Sequence, residues 1–275
     1  MRKLSSWLLV LPLLAALALL YVAPVLDVLW ISVTDPEPGL ENYQRLLDYE
    51  SLRHVLLITL RISAETTLIA VPLGYLVAWT MLHAARRLAV WITGFVLVPF
   101  WVSVLVRAFA WVTLLRPEGL INRALMGLGL ISQPLALIRN ELGVLIGMVH
   151  YLIPYAVLPL IANMRGIDPR LEQASRSLGA GPLTGFLRVF LPLSAPGVFA
   201  AGLLVFILAL GFLVTPAILG GGHIVMISEY VRIQIFQVVR WGVGTMMASC
   251  LLLIVLALLL ALGRLVDVRQ MFGAR

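Results

Sequence analysis

The chain has 275 residues, 61% of them hydrophobic and 12% charged, with a mean hydropathy of +1.03. Soluble domains carry about a quarter charged residues, so this composition excludes a soluble domain and describes a polytopic membrane protein. The net charge of +7, carried by 19 arginines and Lys3, would suggest nucleic acid in a soluble protein; here it marks loops retained in the cytoplasm, and no nucleic-acid partner is expected.

At about 20 residues per span, the apolar runs predict six helices, at 6–31, 55–82, 88–114, 141–163, 196–219 and 242–263. The fold class is therefore all-α, since the long apolar runs lack the alternation of a transmembrane barrel. The opening MRKLSSWLLVLPLLAALALL resembles a signal peptide, but its apolar run is too long and has no clear small-x-small site. It is read as an uncleaved first span. The loop 34–53 is expected to hold a short helix after Pro38-Gly39, and 116–140 to be irregular around Gly119, Gly127, Gly129 and Pro134. Segment 223–241 is apolar yet carries Glu229, Arg232 and Arg240, so it lies at the interface or dips into the bundle. Prolines 72, 99, 154, 159 and 216 fall inside spans, where each kinks its helix or is simply tolerated.

Six spans put both termini on one side. That side holds eleven Arg and Lys residues, including Arg86, Arg87, Arg165, Arg170, Arg176 and Arg188; the other holds seven. The bias places both termini in the cytoplasm, and the acids Asp35, Glu37, Glu41, Asp48 and Glu50 crowd the first outer loop. The expected organisation is a first span and outer loop over 1–53, a transmembrane domain over 54–263 with a cytoplasmic loop at 165–195, and a cytoplasmic tail over 264–275.

Catalytic signatures are missing. A phosphate-binding GxxxxGK[ST] loop needs a lysine, and Lys3 is the sole one. His54, His83, His150 and His223 are scattered without ligand spacing, and Cys250 has no second cysteine to pair with. No metal site, cofactor or enzymatic activity is expected in this chain, which leaves transport. A gradient-driven secondary transporter usually has a larger or internally repeated architecture, and no repeat is evident; an embedded scaffold without transport activity is the other competitor.

The stretch DPRLEQASRSLGAGPLTGFLRVFLPLSAPG, residues 168–197, reads as two short amphipathic helices on the cytoplasmic side. Asp168 caps the first and Pro169 fits its first turn. Leu171, Ala174 and Leu178 share one apolar stripe, and Gly179 stops the helix. Pro182 starts the second helix, with Phe186, Val189 and Phe190 apolar; Pro192 and Pro196 are expected to end it. Small residues at the centre of the first helix, Ala174 and Ser175, favour a groove on a partner protein over a lipid surface.

This pattern resembles the EAA loop of the permease subunits of binding-protein-dependent ABC importers. Its triplet falls on Gln173-Ala174-Ser175, with Gly179, Val189 and Leu191-Pro192 at the family spacing. Gln173 replaces the usual glutamate, Glu172 lies beside it, and Ser175 replaces the second alanine. HYLIPYAVLPLIANMRGIDPRL, LVFILALGFLVTPAILGGG and LVRAFAWVTLLRPEGLIN resemble the spermidine/putrescine branch of the type I importers. The resemblance covers roughly 54–260. It implies a second permease subunit, a dimer of ATPase subunits that carry the ATP and Mg, and a periplasmic or lipid-anchored solute-binding protein. It further implies a bacterial inner-membrane location and a small organic cargo such as a polyamine, with ferric iron or another small solute as the alternative.

Some polar residues sit inside the spans. Glu65 either pairs with Arg61, one turn earlier, or faces the pathway with Thr66 and meets a cationic solute. Arg107 either snorkels outward or lines the pathway, and Trp111, on its face, belongs to the interfacial belt or to that pathway. Tyr151, Asn163 and Thr215 can line a pore or bond to backbone carbonyls.

Overall fold

A computed structural model describes residues 11–265. Twelve helices, α1 to α12, occur among the described residues, and no strand does. Five are long and apolar enough to cross a bilayer: α1 (Leu11–Thr34), α3 (Glu50–His83), α7 (Glu141–Arg165), α9 (Pro182–Leu210) and α12 (Trp241–Leu265). The apolar pair formed by α4 (Arg86–Trp101) and the segment after it, α5 (Val104–Leu115) and α6 (Leu120–Gly127), is bent by 103° at the break, the geometry of a broken span or a re-entrant loop, and counted as one span it makes six. The shorter helices are α2 (Glu41–Asp48), α8 (Pro169–Ser177), α10 (Val214–Leu219) and α11 (Ile227–Phe236). The first residues expected of span one and most of the expected tail, 266–275, lie outside the described residues.

The third span departs from the uninterrupted helix that its hydropathy predicts. Val102 and Ser103 are extended, with ψ near 128° and 140°. Pro99 lies just before them and cannot donate to the carbonyl four residues back. Elsewhere the helices run on through proline: α3 through Pro72, α7 through Pro154 and Pro159. The fifth span also shifts. It starts at Pro182 rather than near 196, passes through Pro192 and Pro196, and stops at Leu210, leaving Pro216 in the separate α10. A π-turn over Phe186–Phe190 immediately precedes Pro192. This wide turn gives room to a ring that an α-turn would press against a carbonyl. The expected helix after Pro38-Gly39 is α2, while 116–140 is more ordered than expected because Leu120–Gly127 is helical.

The chain forms two compact units. Among the described residues, one contains 11–56 together with 227–265; the other runs from Leu57 to Met226. In the first unit α12 packs on α1, α2 and α11, around Leu52, Val55, Ile227, Val243, Met246 and Met247. Polar bonds tie this unit together. Asn42 Nδ2 donates to the carbonyls of Ser32 and Asp35 at 3.2 and 2.7 Å, and the Gly242 N–H donates to the Asp35 carboxylate at 2.6 Å. Gly242 is required there, since a Cβ would sit 2.0 Å from the Asp35 carbonyl oxygen.

In the second unit α7 is the central helix. Val144, Met148, Leu152, Ala156, Leu160 and Met164 repeat every four residues and are all essentially inaccessible, the stripe expected of a helix enclosed on one side. Small residues bring its neighbours close, as is usual for helices packing in lipid. A Cβ on Gly74 of α3 would lie 2.7 Å from that of Ala156, and Gly197 of α9 faces Asn163 at a similar distance. Outward faces are apolar: Trp91 and Phe95 of α4 are 75% and 83% exposed. In water such a surface would be a liability; in a bilayer it is the expected solvent-facing side.

Candidate functional site

The hairpin at 168–197 forms by local rules. Asp168 Oδ1 accepts the Arg170 N–H at 2.9 Å, capping α8. At the other end Gly179 takes φ +83°, while its N–H bonds to Arg176 O and the Ala180 N–H to Ser175 O, both at 3.0 Å. That pair of bonds is the Schellman stop, and the left-handed residue it needs is cheapest as glycine. The chain then doubles back, and Gly185 faces Ser175 so closely that a Cβ would lie 3.2 Å from the serine Oγ. Ser175 is thus a small residue facing the inside of the hairpin.

The two sides of α8 differ in chemistry. Glu172 is turned inward, 3.8 Å from His83 Nε2 at the end of α3 and 3.9 Å from Arg176. The base of the hairpin is an aromatic cluster: Phe186 edges onto Tyr75 and Trp79, Phe190 onto His83, and Trp79 lies 4.6 Å from His83. Buried Tyr75 shares a 2.9 Å hydrogen bond with Ser194. Outward, Leu171 is 45% and Leu178 89% exposed, with Gln173 and Ala174 beside them. The apolar stripe is therefore uncovered, and Glu172 is not on it. Val189 is half-buried, and Leu191 and Pro192 are exposed on the return limb.

A second constellation brings together three of the residues singled out above. Arg107 lies in the first turn of α5 with its guanidinium turned toward α7. Its guanidinium carbon sits 4.1 Å from the centre of the Tyr151 ring, and its Nε is buried without a hydrogen-bond partner. Tyr151 stacks on Tyr155 at 5.8 Å and meets Phe212 edge-on at 4.7 Å; Phe100 packs on Tyr155 at 4.9 Å. Trp111 donates its indole N–H to His150 Nδ1 at 3.2 Å. Arg107 and Trp111 are one turn apart, as their spacing indicated; Tyr155, one turn from Tyr151, was missed, although that spacing is a signal that could have found it. Phe100, His150 and Phe212 carried no such signal, because only the tertiary fold brings them in.

The remaining pathway candidates are dispersed. Glu65 lies 3.7 Å from Arg61, and Arg61 also pairs with Glu141 at the start of α7, a partner eighty residues away that no local pattern reveals. Thr66 is fully buried with an unpartnered hydroxyl, and Asn163 has a buried, unpartnered Oδ1 against Gly197. Thr215 is buried and packs its methyl on Gly147.

This arrangement of broken and unbroken spans, with an amphipathic hairpin between two of them, has close parallels. The model of the binding-protein-dependent transport system inner membrane component family matches residues 70–270. The spermidine/putrescine transport system permease protein PotB of Escherichia coli is 33% identical over 224 residues, 80% of each chain. PotB of Haemophilus influenzae is 31% identical over 206 residues, 75% of this chain and 72% of its own. The inner membrane ABC transporter permease protein YdcU of E. coli is 30% identical, with 74% and 71% covered. Among solved structures, a bacterial ABC transporter that imports alginate superposes with a TM-score of 0.77 over 96% of this chain and 95% of that one, at 18% identity. The same transporter bound to an alginate-loaded periplasmic protein gives 0.78. The chain belongs to the family of binding-protein-dependent transport system inner membrane components: it is a multi-pass permease subunit of an ABC importer.

Proposed function

We propose that this permease forms, with a second permease subunit, the pathway by which a small polyamine crosses the inner membrane, and that its cargo is delivered by a periplasmic or lipid-anchored binding protein. ATP and Mg are held by a dimer of separate ATPase subunits on the cytoplasmic side, where both termini of this chain also lie. α8 enters a groove of one ATPase and passes its closure to α3 and α9. One observation carries this reading: α8 leaves its apolar stripe uncovered while Glu172 on its inner side lies against His83, which in turn packs on Phe190. A helix so anchored moves the spans whenever a partner moves it, and ATP does work only through a difference in binding between two conformations. The docking is apolar and shape-based. Gln173 supplies no charge, and Glu172 is committed to the hairpin's interior. The polyamine assignment draws on the relatives named for spermidine and putrescine.

Replacing Gly179 tests the coupling. Gly179→Val at φ +83° forces a β-branched residue into the left-handed region, opening the stop of α8. The variant is expected to insert in the membrane but to lose ATPase co-purification and uptake. Normal spermidine uptake by this variant overturns the coupling role.

A further inference from the structure

Most buried charges in membrane proteins are paired with one another or with backbone carbonyls, because an isolated ion in lipid is costly. Arg107, half-buried in α5, has no such partner. No carboxylate pairs with it among the described residues, its Nε is buried without an acceptor, and the guanidinium is held over Tyr151, which itself packs on Tyr155 and Phe212, with Phe100 on Tyr155. A ring cluster that holds a cation with no paired carboxylate is a cation site, since the negative faces of aromatic rings attract positive charge.

We infer that the Tyr151–Tyr155–Phe212–Phe100 cluster is a binding site for an organic ammonium group, occupied in this conformation by the chain's own Arg107. The inference rests on the permease reading above and adds the site's ligand chemistry and its occupant. Arg107 is well placed to leave. It stands one turn past the extended Val102–Ser103 break, its N–H bonded to Ser103 O, so α5 can carry it away without unwinding α7. While it remains, its charge repels an ammonium group and covers the best ring face. Once it departs, the rings present an unneutralised π surface to the next cation. Because the rings offer no counter-charge, they hold an ammonium group weakly, and a cargo that must also leave requires weak sites.

The test uses the full complex, with its second permease and ATPases, in lipid nanodiscs without binding protein. Direct binding is measured for radiolabelled spermidine and for tetramethylammonium, which has no N–H and can use only ring faces. Arg107→Gln empties the site, and both cations are expected to bind about tenfold more tightly, equivalent to ~1.4 kcal/mol. Arg107→Lys keeps a resident cation and is expected to bind like wild type. In the Arg107→Gln background, Tyr151→Phe preserves the gain and Tyr151→Leu abolishes it. No gain in Arg107→Gln, or a gain that survives Tyr151→Leu, overturns the site. If Arg107→Gln does not assemble, Arg107→Met is read by the same criteria. Spermidine uptake by wild type separates the two levels. Normal uptake with no gain in binding defeats the cation site alone; absent uptake with a tetramethylammonium gain defeats the polyamine cargo alone.

Discussion

At the scale of single residues, the informative positions are those whose polar atoms are buried without an obvious partner. Glu229 in α11 is 6% exposed, and its Oε2 is unpartnered. Burial pushes its carboxyl above the ordinary carboxylate range, and Arg232 only partly offsets this. An acid with a raised pKa binds its proton more readily folded than unfolded. Stability is therefore greatest below the unfolded pKa and falls as pH rises through the folded one. Glu229→Gln removes that loss, so its thermal midpoint should exceed wild type at pH 8 and approach it near pH 4; a gap that narrows as pH rises contradicts the assignment. Glu65 makes a second test. Arg61 keeps its bond to Glu141 in Glu65→Gln, so the scaffold survives while one negative charge is lost. Spermidine uptake is expected to show a KM raised several-fold, roughly 1 kcal/mol of binding, with kcat little changed. Unaltered kinetics remove Glu65 from the pathway.

At the scale of elements, helix contacts in lipid depend on small side chains more than on apolarity, since every face is apolar. Gly74 against Ala156 is the clearest contact, since a Cβ at Gly74 would lie 2.7 Å from that of Ala156. Gly74→Ala overpacks it and should cost about 1–3 kcal/mol. Adding Ala156→Gly returns the missing volume, so the double variant should recover most of the loss in thermal midpoint; simple additivity would show that the two do not share one contact. The hairpin was legible in sequence because its rules are local: Asp168 at the cap, Pro169 in the first turn, Gly179 at the stop. The break at Val102–Ser103 was not, because hydropathy runs evenly across WVSVLV and Pro99 does not by itself distinguish a break from a tolerated proline. The end of span five was missed for a related reason. An apolar run continues past Gly211 into α10, so composition alone gives no stop at Leu210.

For the whole molecule, a mean hydropathy of +1.03 and six expected apolar segments were enough to define a polytopic membrane protein, and the hairpin pattern at 168–197 narrowed that to the importer permeases. The site was legible only in pieces. Arg107 and Trp111 could be named from helical spacing and Tyr151 from its polarity, but their convergence with Tyr155, Phe100, His150 and Phe212 is a product of the tertiary fold, as is the reach of Arg61 to Glu141. Thr66 and Thr215 are buried and Asn163 is half-buried with its Oδ1 against Gly197, contacts that polarity alone does not reveal in sequence. The central claim is that this subunit is driven by ATP through its hairpin, and one measurement tests it most directly. Spermidine uptake is followed in vesicles holding the complete complex, binding protein and internal ATP, with either active or hydrolysis-deficient ATPase subunits. The account predicts uptake that disappears with the deficient ATPase and persists when ion gradients are collapsed; uptake that survives the deficient ATPase and vanishes with the gradients would contradict it.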